Sequence, residues 1–100
     1  MANLKLRQAA INDLDDIWEY TFQQWSRDQA NQYYESIRSA CLDVAHNPKI
    51  GQDYDWIKKD LKGCRANKHI VFYIQASTGE IEVIRILHER MDLKNRLKSI

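Results

Sequence analysis

A helical period that runs from about residue 11 to residue 46, with one interruption, constrains the fold more than any other feature of this chain. Apolar side chains recur there at three- and four-residue steps, which marks one face of a helix. Ser26-Arg27-Asp28-Gln29 interrupts the period as a capping box, in which Ser26 caps a new helix and Gln29 reaches back. Asn47-Pro48 ends that helix, because proline disfavours helical geometry in the preceding residue. The pattern predicts two long helices joined as a helical hairpin. The first stripe consists of Leu14, Ile17, Trp18, Thr21, Phe22 and Trp25, and the second of Ala30, Tyr33, Tyr34, Ile37, Cys41 and Val44.

Four carboxylates lie in what should be the first turns of the first helix, where negative charge suits the positive end of the helix dipole. They are Asp13, Asp15, Asp16 and Glu19. We interpret them as a solvated helix start. A DNA-binding helix-turn-helix is a weaker interpretation of the hairpin, because its second helix offers only Arg27 and Arg38 against three carboxylates.

The second half of the chain carries the signals of strands. His69–Gln75 and Ile81–His88 are rich in β-branched and aromatic residues. Ala76-Ser77-Thr78-Gly79 between them has the composition of a turn, so the two strands should form an antiparallel hairpin. Residues 61–66 give a weaker strand signal, and residues 4–7 alternate as a half-buried strand does.

Less regular segments complete the prediction. Residues 49–60 should form a connecting loop hinged at Gly51, with Trp56 and Ile57 tucked onto the core. The tail from Asp92 should form a short basic helix whose apolar face consists of Leu93, Leu97 and Ile100. We therefore expect one α+β domain over residues 1–100. Its order is β-α-α-β-β-β(-α), with an antiparallel sheet packed against the helical hairpin.

Two features of the sequence argue for the cytosol. The longest apolar run, residues 70–74, is far shorter than the roughly 20 residues that a membrane span needs. The N-terminal residues Met1-Ala2-Asn3-Leu4-Lys5 contain no apolar stretch typical of a secretory signal. Both observations predict a cytoplasmic protein.

The net charge of +1 conceals an uneven distribution. Residues 1–55 carry five Lys/Arg against nine Asp/Glu, a net of −4, whereas residues 56–100 carry ten against five, a net of +5. The basic half should attract an acidic protein segment or a phosphate backbone, and charge alone does not choose between them.

The sequence offers little chemistry for a catalytic, metal or cofactor site. Cys41 and Cys64 lack the spacing of a metal site, and Cys41 falls on a helical apolar stripe, where a free thiol acts as a small hydrophobe. The three histidines lie on different predicted elements, and three glycines could hardly build a phosphate loop. We predict no metal, no cofactor and no catalytic residue.

One dense group of charged residues stands near the C-terminus, RILHERMD at positions 85–92, with Lys62, Arg65 and Lys68 upstream. Clustered cations with one histidine could serve RNA cleavage. We favour binding and structure instead. Arg90 and Asp92 would lock a turn, and Arg85 would pair with a partner's carboxylate.

The element order and three stretches of sequence together resemble the ParE toxins of the RelE/ParE superfamily of type II toxin–antitoxin modules. The stretches are DLDDIWEY at 13–20, HIVFY at 69–73 and, most specifically, RILHERMD at 85–92. The resemblance covers nearly the whole chain. The chain departs from the common ParE sequence at Ile74, where an arginine is often found.

The resemblance implies partners. A ParD-type antitoxin would neutralise such a toxin by wrapping it with an acidic C-terminal segment, and would itself bind operator DNA. The freed toxin would inhibit DNA gyrase. On this interpretation the residues that bind antitoxin or target are Arg65, Arg85, His88 and Arg90. A disordered acidic segment with apolar anchors could fold into a groove beside the sheet and the helices.

Two alternatives remain at this point. RelE-like relatives cut mRNA in the ribosome, and here Lys62, Arg65, Arg85, His88 and Arg90 would have to serve. His88 would act alone as acid and base, because the tail beyond Met91 has no Tyr or His. The other alternative is an interaction domain without toxicity.

Overall fold

A computed structural model describes residues 3–98, and its elements follow the predicted order with one added strand and one added 3-10 turn. Three longer strands and two long helices account for most of the chain, and the fold is α+β as predicted. The strands are β1 (Leu4–Leu6), β2 (Gln52–Asp53), β3 (Lys62–Ala66), β4 (His69–Gln75) and β5 (Ile81–His88). The helices are α1 (Gln8–Gln24), α2 (Arg27–His46) and α3 (Leu93–Leu97), with a 3-10 turn at Pro48–Ile50.

The helical hairpin forms where the sequence places it. The Ser26 hydroxyl oxygen accepts a hydrogen bond from the Gln29 backbone N–H at 3.1 Å, which satisfies one of the unpaired donors at the start of α2. α2 ends at His46, directly before Asn47-Pro48. α1 begins at Gln8, three residues before the predicted start, so the carboxylates from Asp13 onward lie beyond its first turn. The helix-dipole interpretation of that acidic group is therefore wrong.

The five strands form one sheet in the order β1-β5-β4-β3-β2. β3, β4 and β5 pair antiparallel, with His69–Gln75 and Ile81–His88 bounded as predicted. β1 pairs parallel with Ile81–Val83 of β5, so the sheet is mixed and not wholly antiparallel. A three-residue strand gives no sign in the sequence of the neighbour it will join. β2 is the added strand and lies within the segment that was predicted to be a loop.

The sheet has two buried faces. The helix face packs against α1 and α2 through a core that includes Leu14, Ile37, Val71 and Val83. Cys41 belongs to this core at 3% exposure, as the stripe predicts, and Cys64 packs against it.

The opposite surface, which we call the far face, is covered by short segments. Its core consists of Leu61, Ile70, Phe72, Ile84, Leu87 and Leu97, with Tyr54, Ile57, Ile74 and Leu93 packed against it. Residues 54–61 and α3 therefore cover the far face of the sheet, as the helical hairpin covers the helix face. Leu93 and Leu97 share one apolar face of α3, as predicted, and Ile100 lies outside the described residues. Ile57 is tucked in as predicted, but Trp56 is 65% exposed, so that expectation is wrong.

A tyrosine hydroxyl ties the 3-10 turn to the sheet. Tyr73 Oη donates to the Pro48 carbonyl at 2.7 Å and accepts from the Gly51 N–H at 3.0 Å. A Cβ at Gly51 would lie 2.2 Å from that oxygen, so this position needs glycine. No helix within residues 3–98 has the length and apolar character to cross a membrane.

Candidate functional site

The four residues that the sequence singles out lie in three separate places. Arg65 projects from the far face of β3, because its neighbours Cys64 and Ala66 pack into the helix-face core. Arg85 is bound to α1 by an ion pair. Only His88 and Arg90 share a site, on the helix side of the sheet. The structure therefore brings two of the four residues together.

Arg85 pairs with the chain's own Asp13 and so has a structural role. Its Nε and one terminal nitrogen donate to the two Asp13 carboxylate oxygens at 2.8 and 3.0 Å. Asp13 also accepts the Ile86 backbone N–H at 2.9 Å. β1 covers β5 only as far as Val83, and a bulge follows between Val83 and Arg85, so the Ile86 N–H has no strand partner on that side. Asp13 therefore closes the exposed edge of β5 and holds the pKa of Arg85 above its usual value, chiefly by hydrogen bonding.

Arg65 also has an intramolecular partner. Its guanidinium donates to the Glu89 carboxylate, which joins the end of β3 to the chain just after β5. Arg90 and Asp92 both make hydrogen bonds between β5 and the tail, as predicted for this turn. The Arg90 N–H donates to His88 Nδ1 at 3.1 Å, and the Asp92 carboxylate accepts the Asn95 N–H and caps α3.

A groove of about 1140 Å³ opens between the helical hairpin and one end of the sheet. We call it the hairpin groove. One wall comes from α1 and α2, and the other from the turn after β3 and the end of β5. Its lining residues are Asp16, Ile17, Tyr20, Thr21, Trp25, Gln29, Gln32, Tyr33, Ser36, Asn67, Lys68, His69, His88, Arg90 and Met91.

A tyrosine and two histidines form the floor of the hairpin groove. His69 and His88 are partners across β4 and β5, and their rings meet edge to face with centroids 5.1 Å apart. Tyr33 Oη lies 2.7 Å from His69 Nδ1 and accepts the Lys68 backbone N–H at 3.3 Å. The histidine tautomer sets which of Tyr33 Oη and His69 Nδ1 donates in this hydrogen bond.

Burial fixes the charge state of this group. Burial and, to a lesser extent, the neighbouring His88 together lower the pKa of His69 to about 4, against weaker opposing effects of Asp13 and Glu89. His69 is therefore neutral at pH 7. Burial also raises the pKa of Tyr33, so its hydroxyl stays protonated. The Tyr33–His69 pair in the floor of the groove is therefore uncharged and hydrogen-bonded.

The rim of the hairpin groove combines exposed apolar surface with positive charge. Trp25 is 74% exposed, Tyr20 66% and Met91 39%. Lys68 and Arg90 stand on the sheet side, and neither has an ion-pair partner within residues 3–98. Large exposed aromatics beside unpaired cations are typical of a surface that receives another protein.

Sequence reasoning missed most of the groove. Tyr33 was assigned to the core stripe of α2, and Trp25 to that of α1. One signal for His69 was available, because His69 begins one strand of a predicted hairpin and His88 ends the other, so antiparallel pairing sets them side by side. Residues 3–98 contain no group of three or more His, Cys, Asp or Glu side chains placed to hold a metal ion.

The likeness to solved structures concerns the fold. One solved structure, described as the chromosomal ParDE TA system from P. aeruginosa, matches 88% of this chain and 96% of its own chain with a TM-score of 0.76. The sequence identity is 17%, so this match supports the architecture alone.

Sequence comparisons cover nearly the whole chain. Toxin ParE1 of Mycobacterium tuberculosis is 38% identical over 92 residues, which cover 92% of this chain and 94% of that protein. Toxin ParE1 of Caulobacter vibrioides is 32% identical over 97 residues, or 97% of this chain and 99% of that protein. The family model described as ParE toxin of type II toxin-antitoxin system, parDE, matches residues 4–93. With that match, and with relatives above 30% identity along its length, this chain belongs to the ParE family of type II toxins.

Proposed function

We propose that this toxin acts by binding proteins and not by catalysis. A ParD-type antitoxin captures it in the hairpin groove, and the uncaptured toxin inhibits DNA gyrase in the cytoplasm. The observation that carries the capture is the groove itself, with exposed Trp25 and Tyr20 on one wall and unpaired Lys68 and Arg90 on the other.

The groove suits an amphipathic helical segment with acidic residues on one side. Tyr33 and His69 in its floor are neutral, so apolar anchors of the segment would meet them without burying an unpaired charge. Carboxylates on the segment would reach Lys68 and Arg90 at the rim, where charge-assisted hydrogen bonds are strong. A segment that folds on binding would recover its ordering cost through this burial.

The gyrase target rests on the family. Capture of an acidic segment in the groove explains how the toxin is silenced, but it does not identify the enzyme that the free toxin inhibits. A RelE-like mRNA endonuclease has less support from the geometry, because two of its five required residues are engaged within the fold. Arg65 is bound to Glu89 and Arg85 to Asp13, away from His88.

A supercoiling assay tests the target. The purified chain should inhibit ATP-dependent supercoiling of relaxed plasmid by DNA gyrase, and an equimolar ParD-type antitoxin should restore it. Normal supercoiling at saturating toxin would remove gyrase from the proposal. Codon-positioned cleavage in a translation assay, lost in His88→Ala, would favour the endonuclease instead.

A titration tests the groove. Trp25→Ala should weaken antitoxin binding by about tenfold or more, because it removes an exposed aromatic anchor. Ile11→Ala is the matched control, since Ile11 is 39% exposed on α1, the helix that ends directly before Trp25, but does not line the groove. Equal affinities for Trp25→Ala, Ile11→Ala and the parent chain would place the antitoxin elsewhere.

A further inference from the structure

The last helix and the residue after it carry positive charge alone. Lys94, Arg96 and Lys98 lie within residues 93–98, and this stretch contains no Asp or Glu. All three side chains are exposed, and none has an ion-pair partner within residues 3–98. We call these three side chains the tail cations.

The carboxylate that precedes the tail cations is already used. Asp92 accepts hydrogen bonds from the backbone N–H and from the side-chain amide of Asn95, and so caps α3. Lys94 and Lys98 are four residues apart, so their ammonium groups share one side of the helix and repel each other. A polyanion beside the tail would relieve that repulsion.

Two leucines dock α3 on the far face of the sheet. Leu97 is 1% exposed within the core of that face, and Leu93 packs against the same core. Because these leucines occupy one side of the helix, the tail cations stand on the sides that meet solvent. They are therefore presented by a docked helix, which lowers the ordering cost that a partner must meet.

The other cations of the basic half are matched by carboxylates or lie in the hairpin groove. Arg65 and Arg85 are in ion pairs within the chain, and Lys68 and Arg90 line the groove. Residues 53–62 carry three Lys against three Asp, so that segment has no net charge. The excess positive charge of the second half is therefore divided between the groove rim and the tail.

The groove rim and the tail suit different kinds of polyanion. Tyr20 and Trp25 offer exposed apolar surface beside the cations of the groove, whereas no large apolar side chain within residues 93–98 is exposed. An acidic peptide segment must bury apolar groups to recover its ordering cost, and the tail gives it nothing to bury against. A phosphate backbone needs only cations within reach. The tail therefore favours a nucleic acid over a peptide.

We propose that the tail cations bind the phosphate backbone of duplex DNA, without reading its base sequence. The proposal rests on the proposed function, because a toxin docked on gyrase stands beside the duplex that this enzyme holds. A contact to that duplex adds to the contact with the enzyme, since the second contact forms at high effective concentration. No residue of α3 lines the hairpin groove, so an antitoxin seated there leaves the tail cations uncovered.

Fluorescence anisotropy with a labelled duplex, in the absence of gyrase and antitoxin, tests the contact directly. The tail variant Lys94→Gln/Arg96→Gln/Lys98→Gln keeps side-chain length and helix propensity but removes the three charges. At about 50 mM salt it should bind the duplex about tenfold more weakly or worse than the parent chain. Its plot of log affinity against log salt should be shallower by about 2.7, because each lost phosphate contact accounts for about 0.9.

A second triple variant is the matched control. Arg27→Gln/Arg38→Gln/Lys49→Gln removes the same number of charges from exposed positions on α2 and the 3-10 turn. It should keep the duplex affinity within about twofold and the salt dependence of the parent chain. Equal losses in the two variants would show that the duplex responds to net charge and not to the tail, which overturns the proposal. Circular dichroism confirms that both variants are folded.

Parallel measurements separate other partners of the tail. Weaker antitoxin binding by the tail variant assigns the tail to the antitoxin. Tighter binding of the parent chain to a single-stranded RNA, or to phosphatidylglycerol vesicles, than to the duplex assigns it to those ligands. Each of these results overturns the proposal.

Gyrase enters only in the final measurement, which separates this proposal from the proposed target. The tail variant should raise the toxin concentration for half-inhibition of supercoiling by about fivefold, because it loses the contact with the duplex. If the parent chain binds the duplex through the tail cations but does not inhibit gyrase, the target is wrong and the DNA contact stands. If the parent chain inhibits gyrase and the tail variant binds the duplex as tightly as the parent, the DNA contact fails alone.

Discussion

The helix face and the far face of the sheet are closed by different means. α1 and α2 cover the helix face with 17 and 20 residues of continuous helix. The far face is closed by residues 54–61 and by the five residues of α3. An isolated helix of five residues is unstable in water, so α3 depends wholly on the two leucines that it buries. Long elements stabilise one face together, and short segments close the other separately.

Equal truncations on the two faces should therefore have unequal effects. Ile37 lies on the buried face of α2 and is fully buried. Ile37→Ala should reduce the free energy of unfolding by about 4 kcal/mol, since the hairpin cannot collapse into the cavity. Leu97→Ala should cost about 2 kcal/mol, because α3 can detach while the rest stays folded. Urea unfolding measures both changes.

Hydrogen exchange gives the sharper form of that comparison. In Leu97→Ala the amides of α3 should exchange quickly while those of β4 stay protected, whereas Ile37→Ala should lower protection in β4 and β5 together. If both variants lose the same stability, with the same exchange pattern, the two faces form one cooperative unit and the contrast fails.

The same contrast explains what the sequence predicts well. Regular elements with a clear period, such as α2, β4 and β5, appear within a residue or two of their predicted bounds. Trp56 was misplaced because its exposure depends on hydrogen bonds within the loop, such as those from the Tyr54 and Asp60 N–H groups, which leave no periodic trace in the sequence. β2 is two residues long and has no pattern to read.

The candidate site shows the same limit. Arg85 was expected to meet a partner, but its carboxylate partner Asp13 lies 72 residues away in the chain. No local pattern reports such a pair. The sequence shows that the C-terminal half is positively charged, but of its Lys and Arg side chains only Lys68 and Arg90 line the hairpin groove. The fold was accessible from sequence because its signals are local, and the site was not, because it is assembled from distant elements.

The Asp13–Arg85 pair tests how firmly the hairpin is fastened to the sheet. Asp13→Ala should lower the free energy of unfolding by about 3 kcal/mol, because it leaves the partly buried Arg85 charge and the Ile86 N–H without their acceptor. Asp15→Ala is the matched control, since Asp15 is exposed and a change there should stay within about 0.5 kcal/mol. Similar losses in the two variants would show that Asp13 is an ordinary surface carboxylate.

The smallest expected effect concerns His69, which marks the boundary of the helix face. Its pKa is about 4 in the folded chain, against 6.5 for an unperturbed histidine. Between pH 6.5 and pH 4 the unfolded chain binds a proton that the folded chain does not, so the free energy of unfolding falls as pH falls through this window. Because His69 is partly exposed, we expect a loss of about 1–2 kcal/mol.

His69→Asn isolates this contribution from the carboxylates, which titrate in the same range. The asparagine oxygen can replace Nδ1 as acceptor for the Tyr33 hydroxyl, but it does not titrate. Urea unfolding at pH 7.5 and pH 4.5 should show a smaller pH dependence in the variant than in the parent chain, by that same amount. If the two chains lose equal stability on acidification, His69 is as readily protonated in the folded state as in the unfolded state. The floor of the hairpin groove would then carry positive charge under mildly acidic conditions, and the docking of apolar anchors onto it would be disfavoured there.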